Sequence, residues 1–301
     1  MSLQQNIAVV IVTYNRLNIL KDCIISIKNQ SLKPDGIIVI NNGSTDGTAE
    51  WLTTQSDLNF VNKNNDGSSG AYYAGIKKAM DEKFSYIWLM DDDGIADINA
   101  LLELNKAKDI VKNFSFLCSK IISADGTVMN VPAIDTSLSK YNYQVWGQYA
   151  EFAITAIQTA TYISLFINTQ NLYIAGLPCR DFYFWADDID FTTRLYKTGP
   201  AFMAGKSIVK HLRTNPKTPS ILTETHERRI QLHFYNIRNT VYLSKRDNTK
   251  FVFLKTLIVH IQNMFKSLSS PAGPKKFWIY LKAIWAGLFF KPSASPYIPE
   301  K

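Results

Sequence analysis

The chain has 301 residues, of which 46% are hydrophobic and 19% charged, and its net charge is +8. This composition is ordinary for a globular protein and excludes a disordered chain. The three cysteines lie far apart in the sequence, so we expect neither a disulfide framework nor a zinc ribbon. A reducing cytoplasm fits this pattern, and from the polar start of the sequence we expect no signal peptide.

The first 110 residues alternate between strand and helix patterns. Residues 7–14, IAVVIVTY, form a β-branched run typical of a strand buried on both faces, and apolar residues at helical spacing follow over 16–30. A second strand is predicted at GIIVIN, and a helix start at the STDG that follows. A short strand near 58–63, a Gly/Ser loop at 64–70, a helix over 71–82 and the strand YIWLM continue the alternation. The pattern predicts an α/β fold whose mostly parallel central sheet is flanked by helices.

Polar side chains follow the strands of this predicted sheet. They are Thr13-Tyr14-Asn15, Asn41-Asn42-Gly43, residues 65–70 and Asp91-Asp92-Asp93. Ligands of doubly wound sheets bind beyond the carboxyl ends of the strands, where these four segments converge. Each segment alone is also explained as a turn, a helix cap or a connector.

The three successive aspartates are costly at the end of a buried strand. Like charges a few ångströms apart raise one another's pKa unless a cation compensates them. Mg²⁺ or Mn²⁺ prefers oxygen ligands and bridges to diphosphates. The triplet therefore predicts a divalent metal ion that holds a pyrophosphate. Which two of the three aspartates ligate the ion is left open.

The segments VVIVTYNR, VINNGSTDGT, NDGSSGAYYAGIKKA and WLMDDDG, followed by FYFWADDIDFTTRLYKTG, together resemble family 2 glycosyltransferases of the GT-A fold. The resemblance covers residues 6–215 and is closest to galactofuranosyltransferases, with rhamnosyltransferase-like enzymes next. It implies a nucleoside-diphosphate-sugar donor, with UDP favoured. Asn41 stands where relatives usually have Asp, and its amide still offers the hydrogen-bonding groups for uracil.

The resemblance also implies roles for individual residues. Thr13, Tyr14, Asn15, Arg16 and Asn41 would surround the base and ribose, and Asn65, Gly67, Ser69 and Gly70 would approach the diphosphate-sugar. Asp91 and Asp92 would lie toward the donor. The metal ligands would be Asp93, Asp91 and His211, although a lone histidine at a strand end is more often structural.

The segment ADDID has two explanations. Asp190 and Arg194 are four residues apart, as in a helix-surface ion pair, and Asp187 and Asp188 suit a helix N-terminus. Alternatively, the flanking aromatics desolvate a carboxylate, which raises its pKa and makes it a general base. By resemblance we assign Asp188 as the base, and Asp187 with Trp185 as acceptor-binding residues.

These assignments predict an inverting transfer by single displacement to a glycan or lipid-linked acceptor in bacterial surface polysaccharide synthesis. A dinucleotide oxidoreductase is disfavoured because no G-x-G-x-x-G turn follows the first strand. A sugar nucleotidyltransferase would carry a Gly- and Lys/Arg-rich first loop, which is missing. A non-catalytic nucleotide-sugar-binding module stays open, and it would bind nucleotide without releasing UDP.

The C-terminal part is basic and aromatic. From Lys250 onward there are eight lysines, one acid and ten aromatics, a net charge of +7. We expect a catalytic domain over 1–218, with a nucleotide-binding half at 6–110 and an acceptor half at 111–218, followed by a helical region over 219–301. Arg238, within a YNIRN segment, is a predicted acceptor contact. The lysine-aromatic mixture favours peripheral contact with the inner face of the cytoplasmic membrane over nucleic acid, although a helical hairpin packed on the body explains it equally.

Overall fold

The computed structural model describes residues 6–213, 218–294 and 296–298. The strands, in chain order, are β1 Ile7–Thr13, β2 Gly36–Asn41, β3 Asn59–Asn62, β4 Tyr86–Asp91, β5 Gly94–Ala96, β6 Phe116–Ile122, β7 Val128–Met129, β8 Ala133–Ile134, β9 Ile154–Thr159, β10 Leu165–Asn168 and β11 Ala201–His211. The α-helices are α1 Leu17–Lys28, α2 Thr48–Thr53, α3 Gly67–Asp81, α4 Ala100–Val111, α5 Leu172–Ala175, α6 Asp187–Tyr196, α7 Glu227–Asp247, α8 Lys250–Ser267 and α9 Gly273–Phe289.

One mixed sheet organises the protein, with the order β3-β2-β1-β4-β10-β6-β11-β9-β8. The first four strands in this order are parallel, as predicted for the first 110 residues. The later strands add antiparallel pairs, because β10 runs against both β4 and β6, and β9 runs against β11. The prediction of a mostly parallel sheet therefore holds for the first half, while the second half combines these antiparallel pairs with the parallel pairing of β6 and β11.

The register of the strands places the predicted loops side by side at the carboxyl ends of β1, β2 and β4. Thr13 of β1 lies beside Asn41 of β2, and Val12 lies beside Asp91 of β4. On the other side, β5 pairs antiparallel with the end of β11, which places His211 opposite Gly94. Residues that are more than a hundred positions apart in sequence thus meet at one edge of the sheet.

The core lies on both faces of the sheet. Alternate residues of β1 serve opposite faces, with Val9 packing toward α1 and α4 and Val10 toward α3. The helix α3 approaches closely at Gly75, where an added Cβ would lie 2.4 Å from Cγ1 of Val10. Each face buries a large apolar cluster, which makes the sheet a rigid support for the loops at its edge.

The C-terminal region is helical, as predicted. Helix α7 packs along α9 through Ile237, Val241, Tyr280 and Ala283. Helix α8 lies outermost and buries little of its length. Among the described residues, no helix combines the length and the apolar character that crossing a bilayer requires. The predicted division into a domain and an extension near residue 218 stays a prediction.

Candidate active site

A cleft of about 470 Å³ opens at the carboxyl ends of β1 and β4. It lies between the first half of the sheet and the segment that leads into α6. The cleft brings together many of the residues predicted from sequence: Thr13, Tyr14, Arg16, Asn65, Gly67, Asp91, Asp92, Asp93, Trp185, Asp187, Asp188 and His211. The convergence of these separate segments is the main structural support for a functional site here.

Asp92 is held by the loop that follows β1. Its carboxylate accepts hydrogen bonds from Oγ1 of Thr13 at 2.7 Å and from the guanidinium of Arg16 at 3.1 Å. Burial raises the pKa of Asp92 to about 6, against the opposing effect of the Arg16 charge. Arg16 also reaches Asp93 at 2.7 Å, so one guanidinium compensates part of the repulsion within the triplet.

Asp91, the last residue of β4, is half-buried. Its carboxylate accepts a hydrogen bond from the hydroxyl of Tyr72, a buried side chain of α3. Burial, together with the charge of Asp93, raises the pKa of Asp91 to about 7.

Asp93 faces His211 across the paired strands β5 and β11. The backbone of Leu212 donates to the Asp93 carbonyl at 2.8 Å, and Nε2 of His211 lies 3.4 Å from Oδ1 of Asp93. Oδ1 is buried and has no hydrogen-bond partner. Burial would raise the pKa of Asp93, but His211 and Arg16 outweigh it and hold that pKa below its usual value. Nδ1 of His211 lies 2.9 Å from Oδ1 of Asn130, which orients the ring.

This pair bears directly on the predicted metal. Within the described part of the chain, no three His, Cys, Asp or Glu side chains are gathered as a ready metal site. The unpartnered Oδ1 of Asp93 and the facing imidazole nitrogen of His211 nevertheless supply the oxygen and nitrogen donors that Mn²⁺ accepts. The residues present thus fit a divalent ion, while Asp91 as a further ligand stays a prediction.

The predicted base and ribose residues divide into two groups. Thr13, Tyr14 and Arg16 line the cleft. Asn41 does not, because its amide donates to Asn62 at 2.8 Å and accepts from the Ser44 backbone at 3.0 Å. Asn15 is likewise engaged with the loop before α2, accepting from the Thr45 backbone at 2.7 Å. Their contact with a nucleotide stays a prediction.

The predicted Gly/Ser loop is the first turn of α3, which starts four residues earlier than predicted from sequence. Gly67 has φ +86°, and a Cβ there would lie 2.0 Å from the Tyr183 carbonyl oxygen. That carbonyl accepts from the Ser69 backbone at 3.3 Å, which satisfies a donor of the first helical turn. Gly67 lines the cleft, whereas Ser69 bonds to the Cys179 carbonyl at 2.6 Å and Gly70 packs on Asp66.

The two acidic residues that begin α6 have different environments. Asp187 is buried and accepts a hydrogen bond from Ser68 at 3.1 Å, and its pKa is raised well above the usual value by burial and by Asp188. Asp188 is only half-buried, and its Oδ1 accepts from the Ile189 backbone at 2.8 Å. Desolvation raises the pKa of Asp188 to about 6. The ion pair predicted for Asp190 and Arg194 is present at 3.0 Å, so the segment contains both a structural and a cleft-facing carboxylate.

Several cleft residues were not identified from sequence. Tyr72 donates a hydrogen bond to Asp91, and Arg213, Arg228 and Arg229 bring positive charge to the rim. Ser68, which lies within the predicted Gly/Ser loop, donates to Asp187. Arg228 donates to the Tyr14 hydroxyl at 3.1 Å and lies over its ring. The paired arginines of THERR were a visible signal, since a basic pair at the start of a helix near an acidic cleft suits an anionic ligand.

Arg238 lies outside the cleft lining. Its guanidinium donates to the carbonyls of Asp181 at 2.7 Å and Phe182 at 3.1 Å, and stacks on Phe290. These contacts hold the segment in front of α6. The acceptor contact expected of Arg238 stays a prediction.

The family model and the curated protein that this chain resembles are both glycosyltransferases. Residues 8–144 match the model of the family described as glycosyl transferase family 2. The chain is 30% identical to galactofuranosyltransferase GlfT1 of Mycolicibacterium smegmatis over 90 residues. The aligned segment covers 29% of this chain and 30% of that protein. The match therefore spans less than a third of that relative's length.

Solved structures share the fold. TarS of S. aureus in complex with UDP superimposes with a TM-score of 0.55 at 16% identity, covering 93% of this chain and 81% of that one. The mannosyltransferase PcManGT from Pyrobaculum calidifontis, in complex with GDP-Man and Mn²⁺, gives a TM-score of 0.54 at 14% identity, covering 96% and 76%. At these identities the likeness establishes the GT-A fold.

Proposed function

We propose that the chain is a metal-dependent, inverting glycosyltransferase, because residues 8–144, just under half of the chain, match glycosyl transferase family 2. It moves a sugar from a nucleoside diphosphate, UDP by preference, to a glycan or lipid-linked acceptor. One observation carries the proposal. A single cleft holds two groups of carboxylates from distant segments, Asp91 to Asp93 on one side and Asp187 with Asp188 on the other.

The proposed metal ligands are Asp93 and His211, with Asp91 as a third. Mn²⁺ or Mg²⁺, when bound, stabilises the negative charge of the departing nucleoside diphosphate. Arg16 neutralises Asp92 and part of Asp93, which leaves Oδ1 of Asp93 for the ion. The arginines at the rim, among them Arg228, add positive charge for the donor diphosphate.

The proposed general base is Asp188. A base must be ionised at the working pH yet basic enough to accept a hydroxyl proton, and a pKa of about 6 meets both conditions. Asp187, whose pKa is raised much further, is better suited to orient the acceptor. The acceptor oxygen gives its proton to Asp188 and forms a bond to the anomeric carbon as the bond to the diphosphate breaks. One displacement of this kind inverts the configuration.

The donor sugar is galactofuranose or rhamnose in this proposal. Similarity to a galactofuranosyltransferase over 90 residues supports the first choice. The solved relatives contain UDP and GDP-Man, so members of this fold accept more than one base. The aromatic side chains Phe184 and Trp185 form one wall of the cleft and offer a stacking surface for a sugar ring.

We place the protein in the cytoplasm, in peripheral contact with the membrane during surface polysaccharide synthesis. The outer helix α8 and the residue that follows it expose an apolar stripe at alternating spacings of three and four residues: Phe251, Leu254, Ile258, Ile261, Phe265 and Leu268. Helix α9 adds exposed Trp278, Trp285 and Phe289. We call these nine residues the C-terminal apolar surface.

Its surroundings favour an anionic lipid surface as the occupant. Residues 250–298 contain seven lysines and no acidic residue. A second copy of the same helices would bring lysines against lysines, whereas anionic headgroups would be attracted. Exposed tryptophan and lysine beside an apolar stripe are typical of helices that lie in the membrane interface.

The test is a panel of UDP-, GDP- and dTDP-sugars incubated with Mn²⁺ or Mg²⁺ and candidate acceptors, with release of the nucleoside diphosphate and the glycosylated product both measured. We expect release that depends on metal and acceptor with one donor of the panel, and release at least about 100-fold slower with the Asp188→Asn variant. Nucleotide binding without release would make the protein a binding module instead.

A further inference from the structure

Asn239 is a wholly buried amide on the face of α7 that meets the segment in front of α6. We call that segment, residues 182–186, the aromatic loop. Nδ2 of Asn239 lies 3.0 Å from the Phe182 carbonyl, 3.2 Å from the Phe184 carbonyl and 2.8 Å from the Trp185 carbonyl. The amide of one side chain thus lies within hydrogen-bonding distance of three carbonyls of a single short loop.

The orientation of this amide is fixed from the opposite side. Nε of Arg238 donates to Oδ1 of Asn239 at 2.9 Å, so the donor end of the amide points at the loop. The same arginine binds the carbonyls of Asp181 and Phe182. Removing these donors would leave buried carbonyls without hydrogen bonds, which costs free energy. Arg238 and Asn239 together therefore stabilise the conformation of the loop.

The aromatic loop has an unfavourable backbone. Tyr183, Trp185 and Ala186 have φ values of 64°, 61° and 61°, in a region that residues other than glycine rarely adopt. Such conformations persist only where the surroundings enforce them, and they cluster at functional sites. Here the enforcing group is the amide of Asn239, supported by the ring of Tyr235, which stacks on Tyr183 with centroids 4.5 Å apart.

The loop connects directly to the proposed chemistry. It presents Phe184 and Trp185 to the cleft, and its last residue immediately precedes Asp187 and Asp188. We propose that Asn239 is a positioning residue, which sets the acceptor side of the cleft by fixing the aromatic wall and the start of α6. This inference rests on the proposed function for its kinetic part. Its structural part concerns the placement of Trp185 alone.

The donor side depends on other contacts. Asp92 and Asp93 are held by Thr13, Arg16 and the pairing of β5 with β11. The described contacts of Asn239 all lie within α7 and the aromatic loop. Loss of its amide is therefore expected to affect the acceptor more than the donor nucleotide.

The kinetic experiment compares Asn239→Ala and Asn239→Ser with Asn236→Ala in the full chain. Asn236 lies one turn earlier on the same helix, and its described contact is with Thr240. For Asn239→Ala we expect an acceptor KM raised about tenfold or more and a kcat lowered about 10 to 100-fold, because a small misplacement of reacting groups is expensive. Calorimetric affinity for UDP should change less than about twofold. Asn239→Ser, which retains one hydroxyl donor, should fall between Asn239→Ala and wild type.

A second readout needs no activity. With 5-fluorotryptophan incorporated, the ¹⁹F signal of Trp185 is identified by its absence in Trp185→Phe. That signal should shift and broaden in Asn239→Ala and stay unchanged in Asn236→Ala. If the wild type transfers no sugar, the proposed function fails, while the Trp185 signal still decides whether Asn239 positions the loop. An unmoved signal would overturn the inference. So would unfolding of both Asn239 variants, since Asn239 would then be a stability residue.

Discussion

At the scale of single residues, the two aspartates at the start of α6 have different surroundings, and we propose different roles for them. Asp187 is buried against Ser68, and Asp188 is half-buried with a pKa raised to about 6. Replacing Asp188 with Asn keeps the size of the side chain and removes its ability to accept a proton. We expect the transfer rate to fall about 10² to 10⁴-fold, the usual contribution of a positioned general base. Single-turnover assays check this.

The control for this prediction is the neighbouring substitution. Asp187→Asn should raise the acceptor KM more than it lowers kcat, because the role proposed for Asp187 is to orient the acceptor. UDP affinity should be unchanged in both variants. The reverse pattern would move the base to Asp187. Changes of only a fewfold in both would leave the segment as a helix start with the ion pair of Asp190.

The raised pKa of Asp188 also predicts a pH profile. The ionised form is the active one, so kcat/KM should fall about tenfold per pH unit below about 6 and level off above it. The linked effect on folding has the opposite sign. Because the folded-state pKa is above the unfolded value, this carboxyl contributes stability that is present at low pH and is lost as pH rises through about 6. A profile without an inflection near pH 6 in the wild type would contradict the assignment.

His211 provides the test of the metal. We expect His211→Ala to weaken Mn²⁺ affinity about 10 to 100-fold, because it removes a nitrogen donor opposite the unpartnered Oδ1 of Asp93. His226→Ala is the matched control, since that histidine is exposed at the start of α7. Isothermal calorimetry with UDP present gives both affinities. Equal values for the two variants would make His211 a structural residue.

Some residue assignments were accessible from sequence and others were not. The aspartate triplet and ADDID were recognisable because each is a local run of charges that a buried strand or helix start must explain. Tyr72, Asn130 and Asn239 were not, because each is a common polar residue on a segment distant from its partner. Asn41 and Asn15 were recognised from sequence, but the hydrogen bonds of their amides to neighbouring loops were not. Sequence alone shows which groups are present and does not show how their hydrogen bonds are used.

At the scale of elements, the contact between α3 and the aromatic loop joins the two sides of the cleft. Alternation of strands and helices predicted the position of α3, but the glycines placed its start too late. Gly67 needs φ +86° and lies against the Tyr183 carbonyl. The helical first turn is stabilised when that carbonyl, more than a hundred residues away, accepts the backbone N–H of Ser69. Such a partner leaves no local signal in the sequence.

Gly67→Ala tests this contact. Gly126 has the same φ of +86° with nothing within 4 Å of an added Cβ, so Gly126→Ala measures the backbone strain alone. We expect the control to lose about 1–2 kcal/mol in the free energy of unfolding, the cost of a left-handed non-glycine residue. Gly67→Ala should lose at least about 1 kcal/mol more and also lose transfer activity, because the Tyr183 carbonyl must move. Equal losses in urea titrations would show that the contact is loose.

At the scale of the whole molecule, the sheet and the C-terminal helices have separate roles that meet at the aromatic loop. The sheet aligns the ends of β1, β2 and β4, while α7 holds the loop through Asn239 and packs on α9. The excess of lysine and aromatic residues was visible in the sequence. Which aromatics are exposed was not, because a helical hairpin packed on the body and a lipid-binding surface have the same composition.

The structure packs one part of this region on the body and leaves another part exposed, and this determines how the proposed membrane contact is tested. Tyr280 and Ala283 of α9 are buried against α7, so deletion from Pro274 would unfold a packed helix as well as remove a surface. Substitutions confined to the C-terminal apolar surface avoid this problem. Phe265 and Trp285 are 58% and 67% exposed, and the double variant Phe265→Ser, Trp285→Ser should leave folding intact.

We expect this double variant to sediment less with phosphatidylglycerol vesicles than the wild type, and Lys255→Glu with Lys282→Glu to do the same most clearly at low salt. Tyr143→Ser is the matched control, because Tyr143 is 76% exposed on a distant loop. Neutral vesicles should bind all variants weakly, since the apolar contact alone lacks the electrostatic contribution of the lysines. If the double variant instead changes the sedimentation coefficient of the free protein and leaves vesicle binding unchanged, the C-terminal apolar surface is a contact between copies of the chain. The absence of acidic residues from 250–298 argues against that outcome, because two such surfaces would repel each other.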